Sequence, residues 1–187
     1  MSRKTGISSQ TAQRMVMDAG AVYIDYGETS ERLFGATREG STFEVSQEVR
    51  EIDVDGLRGP TKGFRRVVEE HVRLTVNLLE MTAENVQTAL VGAQVDANGN
   101  GGQTVTRSLK LSDVAYLENV ALVADYSGSS DPVVIKLKNA IVDGDFSLQA
   151  QDREESTVEL QFTGHFDPEN LDESPFEIIF PDTGSGE

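Results

Sequence analysis

From Ala21 onward, apolar and polar residues alternate mostly with period two, the signature of half-buried strands. Val22, Ile24 and Tyr26 alternate with Tyr23 and Asp25. Phe43, Val45 and Val49 alternate with Glu44, Ser46 and Glu48, and the phase then slips near Arg50, because Ile52 and Val54 continue on even numbers. A bulge or bend is expected there. The clearest run is Val68–Leu78, where Val68, Val72, Leu74, Val76 and Leu78 share one face and Glu69, His71, Arg73, Thr75 and Asn77 the other. Further strands are expected around Val105, Leu109 and Leu111, across Val120–Ala124 (apolar on both faces, as in a central strand), and through Val133, Ile135, Leu137 and Ile141. Phe146 with Leu148, Val158 through Phe166, and Phe176 through Phe180 complete the set.

One segment breaks this rhythm. Thr82 suits a helix N-cap, Glu84 suits the positive end of the helix dipole, and Val86 with Leu90 gives an apolar stripe ending near Gly92. The count is eight to ten strands and one helix, which predicts a mostly β protein: an antiparallel β-sandwich or barrel with one flanking α-helix. Residues 1–20 are polar and read as an N-terminal arm, residues 21–181 as the β-domain, and residues 182–187 as a C-terminal tail. The opening stretch MSRKTGISSQTAQRM lacks an apolar core segment, so no secretory leader is expected within it. No apolar run is long enough to span a bilayer, and the expectation is a soluble protein of a cytoplasm-like compartment.

Charge changes the picture. The chain has 32 acidic and 16 basic residues and a net charge of −16. Such acidity disfavours nucleic-acid binding by phosphate neutralisation and association with anionic membranes. The bases are not evenly spread: residues 56–66, GLRGPTKGFRR, carry four of them and no acid, whereas residues 151–187 carry eleven acids and one base. A basic loop in a strongly acidic chain points to recognition between identical subunits, although a solvated hairpin tip carries the same signature.

Candidate chemistry is sparse. There is no Cys, and the two His residues, His71 and His165, lie on polar strand faces outside any metal-binding spacing. Asp96-x-Asn98-x-Asn100-Gly101 matches the first half of a calcium loop, but its twelfth position is Arg107 where a bidentate Glu is required. Asp53-x-Asp55-Gly56 reads as a turn. Asp152, Glu154 and Glu155 sit in a polar connection that offers no burial to shift a carboxylate pKa. Nucleophile-elbow, P-loop and dinucleotide-binding motifs are missing. Nothing points to an enzyme, a metal or a cofactor.

The stretch Ser41–Leu90, STFEVSQEVREIDVDGLRGPTKGFRRVVEEHVRLTVNLLEMTAENVQTAL, resembles the major tail tube proteins of long-tailed, siphovirus-type bacteriophages. The order is an acidic strand ending in a VDG turn, a GPxKG loop, a long strand, and a short helix opening with Thr. Asp18–Gly40 is similar to the family's opening strand and turn, and Lys136–Ile178 to its closing strands. The resemblance implies a structural virion protein made in the host cytoplasm. Its β-sandwiches would form hexameric rings that stack into a tube, built around a tape-measure protein and closed by a terminator. Genomic DNA would pass through without specific binding. Other ring-forming proteins of that fold, in the distal tail, the baseplate hub or secretion-system tubes, are the alternative.

If each of six subunits gives four strands, the barrel has about 24 strands, an inner width of roughly 35–40 Å, and room for a duplex roughly 20 Å across. An acidic lumen keeps DNA sliding because it offers no counterion-releasing contacts. The expected ring-stacking element is the loop holding Asp53, Asp55, Leu57, Arg58, Lys62, Arg65 and Arg66. The expected lumen faces are Glu44, Ser46 and Glu48 and Glu69, His71 and Arg73.

Overall fold

A computed structural model of the chain describes residues 6–8, 10–110, 116–149 and 152–182. Ten strands and one α-helix follow in the order β1 (Val16–Ile24), β2 (Arg32–Leu33), β3 (Thr37–Glu51), β4 (Arg65–Leu78), α1 (Ala83–Ala89), β5 (Ala93–Ala97), β6 (Gln103–Arg107), β7 (Leu117–Tyr126), β8 (Val133–Val142), β9 (Val158–Gly164) and β10 (Phe176–Ile179). All ladders are antiparallel. Eight strands form one sheet in the order β2-β1-β7-β8-β9-β4-β3, with β10 added on β8, and β5 and β6 form a separate hairpin beside α1. The protein is therefore mostly β, antiparallel, with one flanking helix.

The large sheet curls until β1 comes back against β3, so a single core lies inside it. Each strand contributes alternate residues: Val22 and Ile24 from β1, Val72 to Leu78 from β4, Val120 and Leu122 from β7, and Val158, Leu160 and Phe162 from β9. Fully burying one such side chain is worth about 1.5–3 kcal/mol. Phe34 and Phe162 meet edge-on in this core, with ring centroids 5.6 Å apart. In β8 the inward phase changes at Asn139, whose positive φ of 47° moves burial from Leu137 to Ala140 and Val142. Asn tolerates that conformation better than most residues, and its Nδ2 donates to the carbonyl of His165. As expected, β7 is central, lying between β1 and β8, with Val120 and Ala121 fully buried.

Several expectations need correction. The first strand starts at Val16 rather than Ala21, because Met15 and Ser127 exchange hydrogen bonds that dock the preceding segment on the β7–β8 turn. The alternation hides this start behind a break in register between Met17 and Ala21, where Asp18 and Gly20 both have positive φ. Phe146 and Leu148 lie in no strand. Strand β6 stops at Arg107, leaving Leu109 exposed, and Leu111 lies outside the described residues. Helix α1 is capped by Thr82, whose side chain accepts from the Asn85 amide at 3.1 Å. Its buried residues are Asn85 and Ala89, while Val86 and Leu90 are only half-buried. Of the expected C-terminal tail only Asp182 falls within the described residues, and of the N-terminal arm residues 1–5 and 9 do not.

Candidate functional site

The feature that sets this molecule apart is the β3–β4 hairpin. Over Val72–Leu78, β4 is paired on both sides, with β3 and with β9. Before Val72 it keeps only β3. Residues 65–71 and their β3 partners therefore leave the body as a two-stranded arm, about 20 Å long at ordinary strand rise, which continues into the loop 52–64. An isolated two-stranded ribbon is marginal in water. This one leaves the outer backbone edge of β3 without a ladder among the described residues, and likewise the edge of β4 over Arg65–His71.

The two sides of the arm differ. Directly opposed residues share a face, so the register Glu44–Arg73, Ser46–His71 and Glu48–Glu69 places all six expected lumen residues on one continuous polar face of this hairpin. All six are exposed. Strand β9 extends that face with Thr163, Gln161 and Glu159, opposite Arg73, Thr75 and Asn77. Glu48 and Glu69 oppose like with like, while His71 Nε2 lies 3.5 Å from Glu69.

On the other side the core-facing row runs outward past the core. Phe43 and Val45 pack on the body, Gln47 donates to Glu70 at 2.6 Å, and Val49 then pairs with Val67 in the open. A bulge does lie near Arg50, but in the partner strand, and Ile52 and Val54, whose change of phase suggested it, fall in the loop beyond the end of β3 at Glu51. Glu48 pairs with Glu69 but Val49 with Val67, so Val68 is the extra residue. This corrects the reading of Val68 as a member of the buried row: it is 46% exposed. Val49 and Val67, paired across the two strands, are exposed as well and give the arm an apolar flank, and Ile52, Val54 and Leu57 are exposed in the loop beyond it. A groove of about 590 Å³ separates β4 of this arm from the segment after β9, with Phe166 and Leu171 on its far wall.

The tip is cationic. Arg50 and Arg66 face each other directly, and Arg58 and Lys62 stand in the loop. None of these four makes an ion pair among the described residues, whereas Arg65 reaches Glu51 at 3.6 Å. The loop is held by three backbone bonds: Ile52 N–H to the Phe64 carbonyl, Leu57 N–H to Val54 and Phe64 N–H to Thr61. Asp53 and Asp55 are exposed within it. Of the seven expected stacking residues, the structure places Asp53, Asp55, Leu57, Arg58 and Lys62 in the loop, whereas Arg65 and Arg66 open strand β4 opposite Glu51 and Arg50, and the six face residues come together at the base of the arm. Sequence reasoning missed the apolar flank. The signal was present in Val67 and Val68, a doublet that breaks strict alternation beside the basic loop.

Elsewhere the calcium-like loop is a hairpin turn. Asn98 Oδ1 accepts from the amides of Gly102 (2.8 Å) and Asn100 (3.3 Å), and Arg107 Nε donates to the carbonyl of Val91. No three His, Asp or Glu side chains among the described residues are grouped to hold a metal. No helix among them is long and apolar enough to cross a membrane.

No protein-family model matches the chain, and no curated protein matches it. Solved structures do. The chain is similar to one in the virion of a native gene transfer agent particle, with a TM-score of 0.48 and 7% identity, over 87% of this chain and 96% of that one. It is similar to another in the tail of an empty gene transfer agent particle, refined with C6 symmetry, with a TM-score of 0.48 and 9% identity, over 80% of this chain and 92% of that one.

Proposed function

We propose that this chain is a structural tail protein of a phage-like particle, whose copies form rings that stack into a hollow tube for DNA. The observation that carries this reading is the β3–β4 arm: a two-stranded ribbon with open edges, tied to the body beyond the end of β9 by the Ser174 hydroxyl on Glu70, with an apolar flank and a separate polar face. Open edges are an aggregation hazard in a lone molecule and are satisfied when identical copies continue the sheet around a ring. The apolar flank needs a neighbour to cover it. The face of Glu44, Ser46, Glu48, Glu69, His71 and Arg73 needs water, and a water-filled lumen supplies it. With three Glu against one Arg it presents net negative charge, which favours DNA transit over DNA retention.

The sequence resemblance to siphovirus tail tube proteins supports six subunits per ring, a tape-measure protein inside and a terminator at one end. The tip residues around Arg58 and Lys62 are the ring-stacking element of this proposal. Negative-stain imaging of the purified protein, with sedimentation at several concentrations, tests it. Tubes or stacked rings with an open channel are the expected result. A monomer at every concentration and ionic strength overturns it.

A further inference from the structure

The tip of the arm must meet something. The arm projects from one end of the sheet, and the opposite end of the same half-sheet is where β8 stops at Val142 and β9 starts at Val158. Asp143, Asp145 and Glu154 lie there, exposed and without an ion pair among the described residues. Three cations at that end are already paired within the molecule: Arg38 with Glu155 at 2.8 Å, Arg32 with Glu84 at 3.1 Å, and Arg153 with Asp152 at 3.7 Å. Between the free carboxylates, Leu148 is 51% exposed. Among the described residues, the arm tip therefore carries four unpaired cations against two unpaired acids, Asp53 and Asp55, beside exposed Val54 and Leu57, and the far end carries unpaired acids beside an exposed leucine.

We propose that the arm tip of one copy docks on this far end of a second copy, with Arg58, Lys62 and Arg66 meeting Asp143, Asp145 and Glu154. This rests on the stacked-ring reading and names the surface that receives the tip. A two-fold contact, tip to tip, would set two surfaces of net positive charge against each other. A head-to-tail contact sets each against its complement and leaves both outer ends free to repeat, so it generates an open filament rather than a closed dimer. Single exposed ion pairs are weak, and repetition around each ring multiplies them.

The test is a charge swap in the full chain. Reversing the tip (R58E, K62E and R66E) and reversing the far end (D143K, D145K and E154K) should each raise the concentration needed for tube growth at least tenfold. Combining both sets in one chain should restore growth. Reversal of Asp167 and Glu169, acids on the arm's own end, should leave growth unchanged. Circular-dichroism melts confirm that each variant folds. If the tip variant forms rings that do not stack and the combined variant fails to rescue stacking, the receiving surface is wrong while the ring reading stands. Normal tubes from the tip variant, or loss of tubes from the Asp167 and Glu169 variant, overturn the contact. A wild-type protein that never assembles removes both.

Discussion

Individual side chains here either finish the fold or stand outside it. Asn85 belongs to the first kind. Its Nδ2 donates to the carbonyls of Phe34 and Glu80, and its Oδ1 accepts from Arg32, so a buried amide is satisfied on three sides and pins α1 to the sheet. Lys138 and Glu173 are the other informative pair, with Nζ 2.6 Å from Oε1. The hydrogen bond to Lys138 holds the Glu173 carboxyl below its ordinary value of 4.5. The reciprocal bond raises Lys138 above 10.5, against the opposing effect of burial. The signs follow by linkage. Glu173, depressed in the folded state, contributes stability that is complete above its unfolded pKa and is lost as pH falls through the folded value. Lys138, raised, contributes stability that is complete below its unfolded pKa and is lost as pH rises through the folded value. Glu173→Gln should therefore lower the melting temperature slightly and evenly across the neutral range, and the difference from wild type should shrink below about pH 4. Thermal melts at pH 3, 7 and 9 check this. A difference unchanged at pH 3 would mean that the pair contributes nothing through its charge.

At the scale of elements, the arm joins two kinds of sequence that look alike. In Val72–Leu78 an apolar residue at every second place is buried to within 1%. In Val45, Val49 and Val67 the same alternation continues beyond the end of β9, and burial fades from half-buried to half-exposed. Periodicity reports which side of a strand a residue faces, and not whether anything lies on that side. For this reason the strands, the central place of β7 and the polar face were legible in the sequence, and the arm was not. The arm depends on where β9 ends, a non-local fact. Asn85 escaped for a related reason, since a polar residue on a short amphipathic helix reads as its wet side. The exposed valines give a clean prediction. Val49→Ser with Val67→Ser removes apolar area that the free subunit already shows to water, so its unfolding free energy should move by no more than about 0.5 kcal/mol. Assembly should suffer far more if, as proposed, a neighbouring copy covers the flank. Urea titration of the monomer, set beside sedimentation of the assembly, separates the two effects. A large loss of monomer stability would place those valines in an intramolecular contact instead.

For the whole molecule the governing quantity is charge, and its placement matters more than its sum. A net −16 per subunit would make self-association costly if it were uniform. It is not uniform, since among the described residues four unpaired cations, Arg50, Arg58, Lys62 and Arg66, stand at the arm tip against two unpaired acids, Asp53 and Asp55, while the body carries a large excess of acids. Association can then proceed through the tip while the remaining surface stays anionic. In a tube the polar hairpin face repeats around every ring, so Glu44, Glu48 and Glu69 would line a channel that repels phosphate. Replacing these three with Lys moves each subunit from −16 to −10 and inverts the sign of that face. Their side chains are exposed and clear of the core, so folding and tube growth should survive. What should change is the behaviour toward DNA. Tubes of the Lys variant should retain short duplex DNA at low salt and release it steeply as salt rises, the mark of counterion release, while wild-type tubes retain none at any salt. Filter retention of labelled duplex at a series of salt concentrations measures this directly. If wild-type tubes held DNA as firmly as the Lys variant, this face would not be the one that meets the DNA, and the channel would have to be lined by the opposite side of the hairpin.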